Sequence, residues 1–181
     1  MAKYISILRG INVGTGRKVP MADLKKLCEN MGLQNLQTYI QSGNVVFELP
    51  QPESVSELET RLQKAFTQAF GFDIPVLIRS DKEWAGSIAK NPFWNDPNAD
   101  INLLHMTLLK EIPAVAKIEA ILQLDFSPDQ FQIVGNNVFI YCANGYGKTK
   151  ITNDFFEKKL GVEASTRNWK TVMKLHEMIN S

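Results

Sequence analysis

The sequence predicts an α+β fold, in which a ferredoxin-like βαββαβ half is followed by a βαββα-type half with a C-terminal helix. Three observations lead to this prediction. Strand and helix patterns follow the order βαββαβ over residues 1–80, a similar order returns over residues 101–181, and residues 91–100 contain two prolines and three asparagines. We therefore predict a ferredoxin-like unit over 1–80, a connecting helix and loop over 81–100, and a second α+β unit over 101–181 with its capping helix.

The first half begins with a strand and a helix. Tyr4–Leu8 is a short apolar run, which predicts a buried strand. A helical stripe follows, made of Leu24, Leu27, Cys28 and Met31. Residues 36–40 and 45–49 are rich in β-forming residues and flank Gln41–Asn44, whose glycine and asparagine suit a tight turn. These two strands are expected to pair antiparallel.

The first half ends with a second helix and a fourth strand. Ser54 and Glu57 have the spacing of a capping box, and Gly71 marks the end of the apolar stripe that follows them. Ile74–Ile78 then reads as a strand. Four antiparallel strands with two helices on one face are expected from this order.

The second half repeats much of this pattern. We predict a strand over 103–109, a helix over 115–122 and a hairpin of strands 131–134 and 138–142. A further helix ends at Gly161, and 162–165 is a short candidate for a sixth element. The last helix has an apolar face made of Trp169, Val172, Met173, His176 and Ile179.

Composition excludes several classes of protein. The chain has 20 basic and 19 acidic residues, so no bulk charge attracts it to DNA or membranes. Its two cysteines lack any metal-ligand spacing, which favours free, buried thiols in a reducing compartment. No stretch approaches the roughly 20 apolar residues of a membrane span, and the N-terminus lacks the apolar region of a signal peptide. We expect a cytoplasmic protein without a membrane partner.

Catalytic motifs are missing. Only His105 and His176 occur, on separate elements and without clustered acidic or cysteine ligands, so no metal site is predicted. The GxSxG motif is absent, and Ser42 is better explained as a turn former than as a nucleophile. The loop ending in Gly147, Lys148 and Thr149 resembles a phosphate loop, but Cys142 occupies the position where that motif requires glycine. No cofactor is indicated, and the sequence leaves open whether the protein is an enzyme.

Four loops share an unusual charge composition. Residues 9–18, 41–44, 143–150 and 165–171 comprise 29 positions that include no Asp or Glu, where the average of this chain would give about three. They contain seven basic residues: Arg9, Arg17, Lys18, Lys148, Lys150, Arg167 and Lys170. Loops rich in donors and cations but lacking a general base suit anion binding better than hydrolysis.

Several motifs in these loops resemble those of a known family. LRGINVG at 8–14, KVPM at 18–21, TYIQSGNVVF at 38–47, NPF at 91–93 and STRNWKTV at 165–172 are similar to the bacterial family called domain of unknown function 1697. The resemblance extends from Leu8 to the last helix and implies no known activity or catalytic residue. The polar motif positions are Arg9, Asn12, Gln41, Ser42, Asn44, Arg167, Asn168 and Thr171. They overlap the acid-free loops, and our hypothesis is one site assembled from both halves.

The leading functional hypothesis is a binding module or regulator for a phosphorylated small molecule, a nucleotide or RNA. Its cations would be Arg9, Lys148, Lys150 and Arg167, its orienting amides Asn12, Asn44 and Asn168, and its stacking rings Tyr146 and Trp169. One alternative is an enzyme acting on a phosphorylated small molecule through the same basic loops. Another is a protein-interaction scaffold in which the polar loops are structural struts.

Overall fold

The computed structural model describes residues 1–181 and contains eight strands, six α-helices and two short 3₁₀ turns. The strands are β1 (Ala2–Leu8), β2 (Gln34–Tyr39), β3 (Asn44–Leu49), β4 (Val76–Ser80), β5 (Leu104–Leu109), β6 (Gln130–Val134), β7 (Asn137–Tyr141) and β8 (Ala164–Asn168). The helices are α1 (Met21–Asn30), α2 (Val55–Phe70), α3 (Asp81–Ala89), α4 (Val115–Leu122), α5 (Asn153–Leu160) and α6 (Trp169–Asn180). The predicted α+β fold class is confirmed.

The chain divides into two compact units, of which the first comprises Met1–Gly86 and Lys174–Ser181. Its antiparallel sheet has the strand order β2-β3-β1-β4, which is the ferredoxin-like arrangement predicted for this half. Helices α1 and α2 pack on the sheet face that carries Tyr4 and Phe47, which are register partners on β1 and β3. The end of α6 is attached to this unit by Lys3, whose Nζ donates to the carbonyl of Ile179 at 2.8 Å.

The second unit, Ser87–Met173, has the equivalent strand order β6-β7-β5-β8. Strand β8 pairs antiparallel with β5 and completes a full βαββαβ unit, where the sequence predicted βαββα with a candidate sixth element at 162–165. Helices α4 and α5 pack on the face that carries Leu109, Val138 and Ile140. Both units therefore have the same topology.

The ends of α2 show how local signals relate to the structure. The helix ends at Gly71, which adopts the left-handed conformation with φ 79°, as the sequence predicted. Its first residue follows Ser54, but the Ser54 side chain makes no capping hydrogen bond, so the predicted capping box does not form. The long apolar stripe is enough to define this helix because burial of one face supplies most of its stability.

Across the whole chain, no helix combines the length and the apolar character that crossing a membrane would demand.

Gly43, in the turn between β2 and β3, packs closely against the end of β1. Its carbonyl accepts a hydrogen bond from the Leu8 N–H at 2.8 Å. A Cβ atom at this position would lie 2.7 Å from Leu8 Cβ and 3.0 Å from the Leu8 carbonyl oxygen, and its φ is 79°. Only glycine fits both the conformation and the space.

We therefore expect Gly43→Ala to lower the free energy of unfolding by about 2 to 4 kcal/mol, from left-handed strain plus overpacking. Gly71→Ala is the matched control, because Gly71 has the same φ of 79° but a Cβ atom added there would meet no other atom within 4 Å. Gly71→Ala should lower the free energy of unfolding by only about 1 to 2 kcal/mol. Urea unfolding measures both losses, and equal losses would show that the close approach to Leu8 has no energetic weight.

Candidate functional site

Two loops of the first unit, residues 9–19 and 40–43, are joined into what we call the loop pair. The first loop connects β1 to α1, and the second connects β2 to β3. The Asn12 Nδ2 atom donates to the Gln41 carbonyl at 2.9 Å. Together with the bond between Leu8 and Gly43, this contact holds both loops at one end of the sheet.

Asn12 uses its side-chain amide entirely within the chain. Nδ2 also donates to the Val19 carbonyl at 2.9 Å, and Oδ1 accepts from the Val19 N–H at 2.8 Å. Its backbone N–H donates to the carbonyl of Arg17 at 3.0 Å, which closes the loop between them. Asn12 is therefore a structural strut rather than a group available to orient a ligand.

The loop pair concentrates unusual backbone conformations. Asn12, Arg17 and Ile40 have φ values of 54°, 53° and 50°, and only Asn35 elsewhere in the chain is another non-glycine residue with positive φ. Such conformations cost roughly 1–3 kcal/mol each and persist only where surrounding contacts enforce them. For the β-branched Ile40, the left-handed region is a true outlier.

The loop pair also presents hydrogen-bond donors that bond to no acceptor in the chain. Arg17, Lys18 and Gln41 are exposed, and neither cation forms an ion pair. The Arg17 guanidinium lies 5.5 Å from the centroid of the Phe72 ring, a cation–π contact that restricts its position. The backbone N–H groups of Val13, Gly14 and Thr15 donate to no acceptor in the chain.

The other predicted residues of this unit are less accessible. Arg9 is half-buried directly after β1, and its N–H donates to the Pro75 carbonyl at 3.0 Å. Asn44 is fully buried, with its Nδ2 donating to the Tyr39 carbonyl at 3.0 Å and to Ser42 Oγ at 2.9 Å. Asn44 and Ser42 thus stabilise the turn from within, and Asn44 offers no accessible amide.

In the second unit, the TRNW motif forms the junction between β8 and α6. Asn168 Oδ1 accepts from the Thr171 N–H at 2.8 Å and caps the helix. Trp169 is fully buried, between Trp94 and Phe139 at centroid distances of 6.0 and 6.3 Å. The proposed stacking of Trp169 on a base does not fit this position, because the indole has no accessible face.

Arg167 is half-buried on β8 and makes local hydrogen bonds. Its Nη1 donates to Ser165 Oγ and to the Thr166 carbonyl, both at 2.9 Å. Burial lowers the pKa of Arg167 to about 10, so the guanidinium remains charged at neutral pH. The sequence could not distinguish this partly desolvated cation from the exposed ones.

The loop at 143–150 contacts a carboxylate, that of Asp129, which is distant from it in the sequence. Asp129 accepts from the Ala143 N–H at 2.9 Å and from Thr149 Oγ1 at 2.6 Å. Lys148 and Lys150 are exposed on this loop and form no ion pair. The loop itself has no acidic residue, but the Asp129 carboxylate contacts it in the folded chain. The negative charge of this carboxylate makes the loop a poorer candidate for the main anion site.

Tyr146 connects this loop to the core of the unit. Its hydroxyl accepts from the Asn153 N–H at 2.8 Å, and its ring stacks on His105 with 4.6 Å between centroids. Tyr146 is half-buried and already engaged on one face. His105 is 8% exposed, and its Nδ1 is buried without a hydrogen-bond partner.

The predicted site residues thus form one group in each unit. The first unit contains Arg9, Asn12, Gln41 and Ser42 in the loop pair and Asn44 at the start of β3. The second unit contains Lys148, Lys150, Arg167, Asn168, Trp169 and Thr171. Asn12, Asn44 and Trp169 serve the fold, and so does the capping Oδ1 atom of Asn168, although the Asn168 side chain is exposed. Gln41, Lys148 and Lys150 are accessible. A single site assembled from both groups stays a prediction.

The fold defines a class of protein: a tandem of two ferredoxin-like α+β units. Its motif residues lie in the loop pair, at the start of β3, and at the junction of β8 and α6. A family model described as "Protein of unknown function (DUF1697)" matches residues 1–139, and the chain belongs to this family. This confirms the family that the sequence resembles.

One solved structure with the same fold is the conserved bacterial protein SP0830 from Streptococcus pneumoniae. It is 24% identical to this chain, the match covers 98% of each chain, and the TM-score is 0.79. This likeness establishes the shared fold. No curated protein matches the sequence.

Asn12 and Gln41 provide a test of which motif residues are struts. Asn12→Ala removes three side-chain hydrogen bonds and should lower the free energy of unfolding by about 2 to 4 kcal/mol. Gln41→Ala removes an exposed side chain and should change it by less than about 0.5 kcal/mol. Chemical denaturation compares the two, and a neutral Asn12→Ala would contradict the role of Asn12 as a strut.

His105 generates a prediction about acid stability. Burial lowers the pKa of His105, outweighing the hydrogen bond with the Leu103 backbone, which raises it. The unfolded chain, with an ordinary histidine pKa of about 6.5, therefore takes up protons before the folded protein does. The free energy of unfolding should fall as pH decreases through this range.

His105→Phe keeps an aromatic ring against Tyr146 and removes the titrating group. Between pH 7 and pH 5, the variant should lose less stability than the wild type, measured by urea unfolding at each pH. Identical pH slopes for the two proteins would rule out the contribution of His105.

Proposed function

We propose that this protein is an anion-binding module that captures a phosphorylated ligand at the loop pair. The ligand class is a phosphorylated small molecule, a nucleotide or RNA. The observation that carries the proposal is the concentration of left-handed, non-glycine conformations at Asn12, Arg17 and Ile40, around exposed and unpaired donors. Strained backbone of this kind clusters at ligand-binding sites, and it persists only where surrounding contacts enforce it.

The chemistry of the loop pair favours an anion. Arg17 and Lys18 supply positive charge, Gln41 supplies an amide, and the N–H groups of Val13, Gly14 and Thr15 supply backbone donors. Consecutive backbone N–H groups in turns of mixed handedness form concavities that bind phosphate-like groups. A bidentate guanidinium adds both strength and geometric selectivity for phosphate oxygens.

Binding is favoured over catalysis at this site. Residues 9–19 and 40–43 contain no Asp, Glu, His or Cys, so neither a general base nor a strong nucleophile belongs to the loop pair. Lys148 and Lys150 of the second unit are further exposed cations, and they are not part of the loop pair. A bacterial cytoplasmic location, where such ligands are abundant, is part of this proposal and is supported by the cysteine usage and by the Streptococcus relative.

A scaffold role is the second candidate, and a specific observation favours it. The amides of Asn12 and Asn44 and the Oδ1 atom of Asn168 all bond to groups of their own unit. If the remaining motif residues also serve only the fold, substitution of the exposed cations should not change the binding of any ligand.

A thermal-shift experiment tests the proposal with sodium tripolyphosphate, ADP and a short single-stranded RNA, each at low and high salt. A ligand at 100 times its dissociation constant adds about 2.7 kcal/mol, or roughly 5–10 °C for a chain of this size. We expect an increase in melting temperature for the wild type that decreases at high salt. Arg17→Ala/Lys18→Ala should abolish it.

Lys26→Ala/Lys64→Ala is the matched control, since both lysines are exposed, lie in the first unit and form no ion pair. This control removes two positive charges, as Arg17→Ala/Lys18→Ala does, and the ligand-induced increase in melting temperature should be retained. Equal losses in the two double variants would mean that only net charge is sensed. No shift with any of the three anions would exclude the proposed function.

A further inference from the structure

A surface cavity of about 400 Å³ lies entirely within the second unit and has chemistry opposite to that of the loop pair. One side is formed by Gln130, Tyr141 and Leu104, which are register partners across β6, β7 and β5. Tyr141 follows Ile140, which faces α4 and α5, so the cavity is on the other face of the sheet. The loop from Pro92 to Asp100 forms the opposite side.

Two carboxylates from this loop line the cavity. The Oδ1 atom of Asp96 accepts from the Asn98 N–H at 2.8 Å, and the Oδ1 atom of Asp100 accepts from the Asn102 N–H at 2.9 Å. These bonds hold each carboxylate in place, while neither Oδ2 atom accepts a hydrogen bond from the chain. Neither aspartate forms an ion pair, and no Lys or Arg lines the cavity.

Two aromatic rings line the same space. The centroids of Phe93 and Tyr141 are 6.2 Å apart, with the planes tilted by 34°. Both side chains are half-buried, and the Tyr141 hydroxyl makes no hydrogen bond within the chain. Aromatic faces attract cations through the ring quadrupole, and they do so more strongly as water is excluded.

We propose that this cavity binds an organic cation carrying a primary ammonium or guanidinium group. The unpaired oxygens of Asp96 and Asp100 accept its N–H groups, and the rings of Phe93 and Tyr141 cover its methylene groups. The volume is within the range of about 300 to 1,000 Å³ typical of small-molecule sites. A phosphorylated ligand is disfavoured here because it would meet two carboxylates and no cation.

The apolar part of the lining distinguishes an organic cation from a metal ion. Phe93, Leu104 and Pro92 contribute hydrocarbon to the cavity, whereas Ca²⁺ requires six to eight oxygen ligands. No cluster of three or more Asp, Glu, His or Cys side chains with metal-binding geometry occurs in this chain. Aromatic faces attract alkylammonium groups, and the two carboxylates that line the same cavity supply acceptors for the N–H groups.

NMR titration of the full-length protein tests this inference with putrescine, with agmatine and with 1,4-butanediol, the neutral counterpart of putrescine. We expect both amines to shift the backbone amides of Phe93, Asp96 and Asp100 saturably, and the diol to leave them unchanged. Asp96→Asn/Asp100→Asn keeps the Oδ1 acceptors of both turns but removes the charges. It should weaken amine binding by at least about tenfold.

Glu111→Gln/Glu119→Gln is the control, because both glutamates are exposed in the same unit and outside the cavity. This variant should bind the amines as the wild type does. Equal weakening in both variants, equal shifts with the diol, or binding of CaCl₂ without binding of either amine would overturn the inference. A full set of native amide signals in each variant confirms that folding is retained.

Discussion

The hydrogen bonds of Asn12 are the constraint on which the loop pair depends. One side-chain amide closes the loop from residue 12 to residue 19 and also joins it to the turn before β3. Asparagine suits this role because it tolerates the left-handed conformation and carries both donors and an acceptor. With the loop closed in this way, Arg17 is also held in the left-handed region, and its guanidinium lies against Phe72. A flexible loop of the same composition would present the same charges without a defined geometry.

The two units share one topology but present different groups around it. Each has a central pair of strands, β1 and β3 or β5 and β7, flanked by edge strands in the same order. In the first unit, the loop after β1 presents the exposed side chains of Arg17 and Lys18 together with backbone donors. In the second, the segment before β5 contributes the carboxylates of Asp96 and Asp100 beside two aromatic rings. The two proposed sites are compatible with a net charge near zero, because local recognition depends on nearby groups rather than on total charge.

Much of the fold was predictable because its signals are local. The apolar stripe of α2, its stop at Gly71 and the turn at Gln41–Asn44 all depend on residues close together in the chain. The missing Ser54 cap and the strand β8 were harder to predict. Strand β8 owes its place to pairing with β5, more than 50 residues earlier, and a five-residue segment has little local signal for such a partner. The acid-free loops illustrate the same limit, since Asp129 joins the loop at 143–150 only through folding.

The sequence by itself determined the α+β class, the ferredoxin-like first half, the family, and which polar residues belong to its motifs. Only the tertiary structure decided what each of those residues does. Asn12, Asn44 and Asn168 look like ligand-orienting amides in the sequence, yet the amides of Asn12 and Asn44 and the Oδ1 atom of Asn168 are bonded within the chain. Trp169 looks like a stacking ring and is buried, whereas Gln41, Arg17 and Lys18 remain accessible. The physical reason is that residue type specifies which bonds a side chain can make, while burial and the positions of distant partners specify which of them are already made.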